Sequence, residues 1–577
     1  MCGIIGMTSN QPFGIKKDLL EALCRLEYRG YDSFGFATME GRLVKMKGHI
    51  SDFLFRIEEG QTICAIAHTR WATHGGVSDK NAHPHRDCSG TIFVAHNGII
   101  ENYMDFKEEL AKKGHTFLSE TDSEIIAHFF EEKLKSKSIR EACREFIRKV
   151  EGTFAIVILR QGNDEIAALK RDSPLALGIL PEKKILASDL YAFSTTTDRA
   201  IFFEDDEFAL ITPESYRFFD RSGKVIKKTP HKFIWTQKTE DKKNYPHFML
   251  KEIWEEPEVA QRLLTSLAGE QKGKLSSLAS LVKNHKRILF AACGTAYFAT
   301  LLGVFYLNKC GIESHTIIAS EFPHYAFADR KTLVIAVSQS GETMDVIQAL
   351  KYARERGATI ASIVNVPHSS VQRMSKLSLE ILAGQEICVA STKAFTNQTL
   401  ALLALARQLG LKCSLSSLPS KMEKALRDNE NTAKSLAREL FPINDTYILG
   451  RGASYPVARE IAHKIKETSY NHAEGMMGGE LKHCELALIT QGTPVISLVP
   501  DWDHDMVSNT KEVEARGARV ITLSNKPPAD FLVPDCTESE FPLIATPVGH
   551  LLAYWMANYK GCEIDKPRNL AKSVTVK

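Results

Sequence analysis

An internal repeat in the second half of the chain limits what it can fold into more than any other feature of the sequence. The run Ile-Leu-Phe-Ala-Ala-Cys-Gly-Thr-Ala-Tyr that ends at Tyr297 is echoed by Tyr-Ile-Leu-Gly-Arg-Gly-Ala-Ser-Tyr, which ends at Tyr455. An Arg-Gly-Ala turn at Arg356 is likewise echoed at Arg516. The first pair is offset by 158 residues and the second by 160, so two copies of one unit lie in the same register.

Each copy alternates strands and helices around a glycine turn, which predicts a parallel sheet covered by helices. The copies differ after a buried strand. The first continues as Ser-Gln-Ser-Gly-Glu-Thr (338–343) into a helix, where hydroxyls and backbone N–H groups suit a phosphate. The second has Asp501 and Asp503, which would repel one. One anion site is therefore expected in this half, in the first copy.

The first half, to about residue 235, has a β-rich, mixed pattern. Short β-branched runs at 62–67, 91–95, 153–159, 185–187 and 208–211 predict strands, and residues 15–26 and 122–134 predict helices. The polar segment 236–245 has almost nothing to bury, so it is predicted to be the linker between domains.

Composition excludes several classes of protein. The 577 residues are 44% hydrophobic and 25% charged, which is typical of a globular chain. A net charge of +3 with interspersed signs provides no basic stripe for nucleic acid. The twelve cysteines form no Cys-x-x-Cys pair, so neither a zinc ribbon nor a redox dithiol is indicated. Without a signal-peptide pattern or an apolar run of about 20 residues, the expected protein is soluble, cytoplasmic and not bound to a membrane.

Cys2 is the first candidate for chemistry. Removal of Met1 would place a thiol and a free α-amine in one residue, which combines nucleophile and base as in N-terminal nucleophile hydrolases. The alternative is an ordinary buried cysteine after the initiator.

Several longer motifs accompany Cys2. The segments 1–6, 26–33, 68–75, 96–102 and 119–123 resemble the class II glutamine amidotransferase domain, and the second half resembles two sugar-isomerase (SIS) domains. The run 565–576 is similar to the tail of one family that combines them. Over essentially the whole chain, the sequence resembles the glutamine:fructose-6-phosphate aminotransferase (isomerising), or glucosamine-6-phosphate synthase, family.

The resemblance implies a fold and an activity. An N-terminal-nucleophile αββα sandwich of the α+β class is expected over 1–238, followed by a linker at 239–257. Two α/β SIS domains with doubly wound parallel sheets are expected at 258–425, with the sugar-phosphate site, and 426–566, before a catalytic tail at 567–577. The implied reaction takes L-glutamine and fructose 6-phosphate to glutamate and glucosamine 6-phosphate in a homodimer, without cofactor or metal.

For the glutaminase half, the resemblance implies that Cys2 attacks the glutamine amide while its own amine relays the proton. Asn97 and the Gly98 N–H would hold the oxyanion. Arg70 would grip the glutamine carboxylate and Asp122 its ammonium group. A structural ion pair between Arg70 and Asp122 is the alternative.

The rest of that half surrounds the substrate. Trp71 is implied as the gate of an ammonia passage, and Thr73 and His74 would line the glutamine site, with His74 shaping its loop. The histidines His68, His74, His83 and His85 could suggest a metal site, but the resemblance favours a scaffolding role.

For the sugar half, the resemblance implies two sets of residues. Those that would bind the phosphate or shape its pocket are Ser338, Gln339, Ser340, Thr343, Thr295, Val389 and Ser391. Glu467 would be the base between C1 and C2 with Lys464 beside it, although a Lys/Glu pair three apart on a helix is usually a solvated ion pair. Lys572 would form a Schiff base with the open-chain sugar, and His483 from the neighbouring subunit would open the ring.

Three departures from the family pattern leave alternatives open. Ala296 replaces a serine whose hydrogen bond to a charged phosphate is worth about 1.5–3 kcal/mol. Cys484-Glu485 replaces Gly-Pro after His483, and Asp172 stands where a glycine usually precedes Ser-Pro. The chain could therefore act on another keto-sugar phosphate. A non-catalytic SIS protein that binds sugar phosphates is the other alternative, and it would have no use for Cys2 or Lys572.

Overall fold

The computed structural model describes residues 2–233 and 241–575. The chain divides into two compact units, residues 1–238 with 573–577 and residues 239–572. Within the part of the chain that the model describes, no helix combines the length and apolarity needed to cross a membrane.

Unit 1 is built on two antiparallel sheets. Its strands are β1 (Gly3–Gly14), β2 (Ser33–Thr38), β3 (Leu43–Lys47), β4 (Gln61–Arg70), β5 (His85–Arg86), β6 (Ile92–Ile100), β7 (Gly152–Arg160), β8 (Ile166–Arg171), β9 (Ala176–Ile179), β10 (Lys183–Ala187), β11 (Arg199–Phe202), β12 (Glu207–Ile211), β13 (Tyr216–Phe219), β14 (Val225–Ile226) and β15 (His231–Lys232). The first sheet runs β15-β11-β9-β10-β1-β4-β2-β3 and the second β14-β13-β12-β8-β7-β6-β5. All five predicted strands are present.

The helices of unit 1 cover the outer faces of these sheets. They are α1 (Glu21–Cys24), α2 (Ile50–Phe53), α3 (Tyr103–Lys112), α4 (Glu124–Leu134) and α5 (Ile139–Lys149). A core of Ile4, Ile66, Phe93 and Val157 lies between the two sheets, and separate apolar clusters join the helices to each outer face. This four-layer arrangement confirms the predicted αββα sandwich. The predicted helix at 15–26 is a π-helical turn, Ile15–Leu20, continued by α1.

Unit 2 contains the two repeats. Its strands are β16 (Arg287–Ala292), β17 (Ser314–Ile318), β18 (Thr332–Ser338), β19 (Thr359–Val364), β20 (Leu377–Glu380), β21 (Asp445–Gly450), β22 (His472–Met477), β23 (Pro494–Leu498), β24 (Arg519–Ser524) and β25 (Phe531–Leu532). They form two parallel sheets, β17-β16-β18-β19-β20 and β22-β21-β23-β24-β25. The matching strand orders confirm the predicted duplication.

Helices pack on both faces of these sheets. They are α6 (Phe248–Ala268), α7 (Lys272–Asn284), α8 (Gly294–Lys309), α9 (Phe322–Tyr325), α10 (Met344–Glu355), α11 (Ser370–Met374), α12 (Lys393–Gln408), α13 (Leu418–Leu440), α14 (Ser454–Ser469), α15 (His504–Glu514) and α16 (Phe541–Lys560). One apolar core extends through both repeats, from Met249 to Ile564.

Two predicted boundaries differ from the observed elements. Residues 234–240, which include the start of the predicted linker, lie outside the described residues. Residues 248–257 of that linker are instead the first part of α6, because Met249 and Ile253 are buried in the core of unit 2. The predicted border at 425/426 falls inside the continuous helix α13. The remaining domain limits stay predictions.

Candidate active site

Cys2 lies immediately before β1 and beside the end of β4. Its Sγ is 3.3 Å from the Trp71 backbone nitrogen and 3.6 Å from the Trp71 carbonyl oxygen. Burial raises the pKa of the Cys2 thiol, while the Trp71 N–H and the Arg70 charge act in the opposite direction. A thiol in this setting needs a base to become a nucleophile, and the α-amine of a processed chain would be adjacent.

Asn97 is tied to Cys2 from the neighbouring sheet. Its Nδ2 donates to the Cys2 carbonyl oxygen at 2.8 Å, and its Oδ1 lies 3.0 Å from His68 Nε2. The same His68 nitrogen lies 3.0 Å from the His96 carbonyl oxygen, so it faces two acceptors and must carry the proton. Burial lowers the pKa of His68 to about 3, which keeps the ring neutral. His68 therefore fixes the orientation of the Asn97 amide and leaves its second N–H for a ligand.

Gly98 continues β6 in a conformation that requires glycine. Its φ is +126°, and a Cβ at this position would lie 2.1 Å from the Thr153 carbonyl oxygen. The backbone next to Asn97 can therefore adopt this conformation only with glycine at position 98.

Arg70 and Asp122 are both buried beside this strand pair. The Arg70 guanidinium donates to the carbonyl oxygens of His74, Gly75 and Gly76, at 2.5, 3.0 and 3.2 Å. Asp122 accepts from the Ile100 N–H at 2.8 Å. Each group is thus occupied by backbone, and among the described residues the alternative of a direct Arg70–Asp122 ion pair is wrong.

The loop after β4 surrounds these groups. Trp71 and His74 are half-buried and Thr73 is exposed. The His74 carbonyl oxygen accepts a hydrogen bond from the Arg70 guanidinium, so His74 contributes to the shape of the loop. The ring centroids of His68 and His83 are 4.3 Å apart in a stacked arrangement, and those of His83 and His85 are 4.5 Å apart. Burial holds the pKa values of His83 and His85 well below the usual range.

The His68–Asn97 contact leads to a prediction. We expect Asn97→Ala to lower kcat for glutamine hydrolysis by about 10²–10³-fold, the cost of one oxyanion donor. His68→Ala should lower it less, and His68→Gln, which keeps an N–H donor, should recover part of the loss. Because His68 acts through Asn97, the double variant should lose no more than Asn97→Ala alone. Additive losses in initial rates of glutamate release would contradict this coupling.

In unit 2, the predicted anion loop 338–343 joins β18 to α10. Ser338 Oγ accepts from the Gly341 N–H at 2.9 Å, and Ser340 Oγ accepts from the Glu342 N–H at 3.1 Å. Gly341 has φ +63°, and a Cβ there would lie 2.1 Å from Ser369 Oγ. Gln339 and Thr343 are half-buried, and Thr343 is the N-cap of α10 without a side-chain capping bond.

The second repeat has no such loop. Asp503 is the N-cap of α15, and its side chain accepts from the Met506 N–H at 3.0 Å. A carboxylate therefore occupies the helix N-terminus, which agrees with the prediction that this copy would repel a phosphate.

Lys572 is the last residue of unit 2, and its side chain is buried. Its Nζ donates to Glu386 Oε2 and, at 2.8 Å, to the Cys388 carbonyl oxygen. Ser391 Oγ donates to the same Glu386 oxygen at 2.6 Å. Burial would raise the pKa of Glu386, but Lys572 and these hydrogen bonds lower it to about 2. Val389, two residues before Ser391, is also buried.

Lys464 and Glu467 face the interior from α14. Lys464 Nζ donates to Glu467 Oε2 and lies 3.6 Å from Glu460 Oε1, and the Lys464 side chain has no exposed surface. The alternative of a solvated surface pair is therefore wrong. Despite burial, Lys464 and His463 hold the pKa of Glu467 well below its usual range, so it is a carboxylate. The charges of Glu460 and Glu467 raise the pKa of Lys464 against the effect of burial, and Glu386 adds to this.

A series of contacts between buried polar side chains connects the Lys464–Glu467 pair to the first repeat. Thr295 Oγ1 lies 3.4 Å from Glu460 Oε1, which is also 3.4 Å from His550 Nε2. His550 Nδ1 lies 2.9 Å from Glu256 Oε1, and Glu256 and Glu460 raise the pKa of His550 to about 9 against the effect of burial. Thr295 is thereby held between the two repeats.

His483 is not brought to these groups within one chain. It ends the short 3₁₀ turn Leu481–His483, is exposed, and donates its backbone N–H to the Glu480 carbonyl oxygen at 2.9 Å. Among the described residues, no side-chain contact joins it to Lys464, Glu467 or Lys572.

Family models match both units. The glutamine amidotransferase domain matches residues 68–195, and the SIS domain matches residues 281–407 and 439–532. A glutamine–fructose-6-phosphate aminotransferase [isomerizing] of Thermococcus kodakarensis is 41% identical, with 100% of each chain covered. Enzymes of the same name from Sulfurisphaera tokodaii and Clostridium tetani are each 40% identical with the same coverage.

The chain belongs to the glutamine–fructose-6-phosphate aminotransferase family. Among solved structures, unit 2 is similar to the C-terminal domain of this aminotransferase from Francisella tularensis, with a TM-score of 0.52 and 32% identity over 56% of this chain and 100% of that chain. A tagatose-6-phosphate ketose/aldose isomerase of Escherichia coli has a TM-score of 0.51 at 15% identity, covering 57% of this chain and 98% of that chain, which shows the fold alone.

Two departures from the aminotransferase pattern have structural consequences. Asp172 adopts φ +64°, the left-handed conformation that a glycine would take most easily and that aspartate tolerates. Ala296 is partly buried against the core of unit 2, where it offers no hydroxyl. Sequence analysis assigned no role to four buried partners of the site residues: Glu256, Glu386, Glu460 and His550. Glu460, four residues before Lys464 on one helix face, was detectable from spacing alone.

Proposed function

We propose that this chain transfers the amide nitrogen of L-glutamine to fructose 6-phosphate and isomerises the product to glucosamine 6-phosphate. The observation that carries the proposal is the buried Lys572 side chain, whose Nζ donates to Glu386 and to a backbone carbonyl, in a unit that also buries the Lys464–Glu467 pair. A pocket that combines a lysine, which can form an imine, with a carboxylate base suits a keto sugar. The names of the full-length relatives agree with this reaction.

In the glutaminase step, Cys2 attacks the glutamine amide after Met1 is removed, and its α-amine accepts the thiol proton. The second N–H of Asn97 and the backbone N–H of Gly98 stabilise the oxyanion. Asp122 binds the glutamine ammonium group. Arg70 binds the carboxylate by exchanging part of its contact with the 74–76 turn, so glutamine binding is coupled to that loop and to Trp71, Thr73 and His74.

In the sugar step, the loop with Ser338, Gln339, Ser340 and Thr343 binds the 6-phosphate, and Thr295, Val389 and Ser391 shape the pocket. The neutral amine of Lys572 condenses with the C2 carbonyl of the open-chain ketose to form an imine and release water, and ammonia then displaces the lysine to leave the imine of the sugar. Glu467 moves the proton between C1 and C2, with Lys464 neutralising its charge.

The reaction is tested by product analysis with purified protein whose N-terminus has been checked by mass. Glucosamine 6-phosphate should form only when glutamine and fructose 6-phosphate are both present, in equal amount with glutamate. Omission of either substrate should abolish the amino sugar. Glutamate without amino sugar, with both substrates present, would contradict the proposal.

We further propose that the chain acts as a homodimer in which His483 serves the sugar site of the partner. Support comes from the exposure of His483 and from the neighbouring apolar side chains Met477 and Leu488, which are 50% and 49% exposed. Exposed apolar groups beside a catalytic candidate are typical of an interface.

A heterodimer experiment tests this arrangement. When a Lys572→Ala chain is paired with a His483→Ala chain by two affinity tags, one of the two sites keeps both residues, so we expect about half of the wild-type synthase activity per dimer. Each variant alone should be inactive. A wild-type chain paired with the double variant should also be inactive, because its only Lys572 faces a substituted His483. Activity in the second pairing and none in the first would show that His483 acts within its own chain.

A further inference from the structure

A group of four side chains in unit 1 lies apart from the residues assigned to the reaction. Cys88 follows β5, His115 lies in the loop after α3, and His128 and Glu131 are three residues apart on α4. One ligand atom from each lies within 4.8 Å of the other three. We propose that these residues form a structural zinc site.

The distances match tetrahedral coordination. Cys88 Sγ lies 3.7 Å from His115 Nδ1 and 3.5 Å from His128 Nδ1. Glu131 Oε2 lies 3.0 Å from His115 Nδ1 and 3.4 Å from His128 Nδ1. With the usual zinc–sulfur, zinc–nitrogen and zinc–oxygen bond lengths, tetrahedral edges of about 3.6 Å (sulfur to nitrogen) and about 3.4 Å (nitrogen to oxygen) are expected.

The surroundings of the two histidines provide an independent observation. His115 Nε2 lies 3.4 Å from Glu132 Oε2, within hydrogen-bond distance, and His128 Nε2 faces Glu124 Oε1 at 3.7 Å without a hydrogen bond. A carboxylate at the far nitrogen is the usual outer partner of a metal-bound histidine. A neutral imidazole donates from one nitrogen only, so donation from His115 Nε2 to Glu132 leaves the Nδ1 lone pair of His115 directed at Glu131 Oε2, 3.0 Å away. A divalent cation between His115 Nδ1 and Glu131 removes that conflict.

The thiol environment agrees with a metal-bound thiolate. The Thr116 N–H donates to Cys88 Sγ at 3.4 Å, and the Cys88 N–H donates to Glu131 Oε2 at 3.1 Å. His115 and His128 are buried, while Cys88 is exposed, so an ion can enter from the surface. Four protein ligands close the coordination sphere, which is typical of a structural rather than a catalytic zinc.

The position indicates what the ion would stabilise. It would connect the loop after β5, the loop after α3 and the helix α4, and so fix the segment 115–123 that carries Asp122. The sequence predicted no metal because these ligands are separated by 27, 13 and 3 residues, without a Cys-x-x-Cys or His-x-x-x-His pattern. The proposal is independent of the proposed reaction.

Cobalt binding to the full chain provides the test. After treatment with a chelator and dialysis, Co²⁺ should bind at one equivalent per chain with tetrahedral ligand-field bands and a thiolate charge-transfer band. Cys88→Ser should lose the charge-transfer band, whereas Cys413→Ser, at a half-buried cysteine of unit 2, should keep it. Protein purified without chelator should contain one zinc per chain, and its thermal unfolding temperature should fall when the zinc is removed.

A second pair of variants tests the geometry without removing a ligand. Glu132→Gln should weaken zinc or cobalt binding by about 10–100-fold, the usual effect of an outer carboxylate, whereas Glu108→Gln on the exposed face of α3 should not. A cobalt spectrum without a thiolate band, or one unchanged by Cys88→Ser, would overturn the proposal. So would equal zinc content in wild-type protein and Cys88→Ser.

Discussion

Cys2→Ala should eliminate glutamine hydrolysis, with a loss of roughly 10³-fold or more, because it removes the only atom of the site that can form the thioester. The Sγ contacts the Trp71 backbone, whereas Asn97 is held by the Cys2 carbonyl oxygen, so alanine leaves the Asn97 contact in place and the fold unchanged. Glutamate release from glutamine is the measurement. Cys24→Ala, at another half-buried cysteine of unit 1, is the matched control and should retain activity.

Cys2→Ala should leave the reaction of Lys572 with the sugar unchanged. Borohydride reduction in the presence of fructose 6-phosphate should trap the imine at Lys572 in Cys2→Ala as well as in wild-type protein, read as a mass increase on the peptide with Lys572. Persistent glutamine-dependent turnover by Cys2→Ala would show that the nucleophile is another residue.

In contrast to Cys2→Ala, Lys572→Ala should retain glutaminase activity and lose sugar amination. Removing the ammonium group also leaves the buried Glu386 carboxylate without its partner, at a cost of about 3–5 kcal/mol in the stability of unit 2. Loss of activity in this variant alone could therefore reflect unfolding.

Lys572→Arg separates the two effects. Arginine keeps the positive charge beside Glu386 but forms no imine at neutral pH, so unit 2 should unfold near the wild-type temperature while amination and borohydride trapping are both lost. Lys511→Ala, at an exposed lysine on α15, should be fully active. Amination by Lys572→Arg would contradict imine formation at this residue, and equal loss of glutaminase and synthase activity would contradict the division of labour between the units.

The sequence predicted the features that depend on local pattern. The repeat around Tyr297 and Tyr455 predicted the two matching parallel sheets, and Asp503 caps the helix of the second copy, where exclusion of a phosphate stays a prediction. Alternation and β-branched runs located the strands of unit 1. The predicted linker at 239–257 extends into α6. Met249 and Ile253 follow a polar run, and only their burial shows that the helix has begun.

Contacts between distant segments could not be predicted in this way. Glu386 is 186 residues from Lys572, and nothing near either residue indicates that they form an ion pair. His68 has an unremarkable position in a strand, and its role depends on Asn97 in the other sheet. The Cys88, His115, His128 and Glu131 group likewise depends on three segments that meet only in the folded unit.

Transfer of nitrogen from glutamine to the sugar is tested most directly with glutamine labelled with ¹⁵N in its side-chain amide. Purified wild-type protein would be incubated with this substrate and fructose 6-phosphate in the presence of excess unlabelled ammonium, and both products quantified by mass spectrometry. We predict one ¹⁵N in each glucosamine 6-phosphate, in equal amount with glutamate. Glutamate without labelled amino sugar would contradict the proposed function.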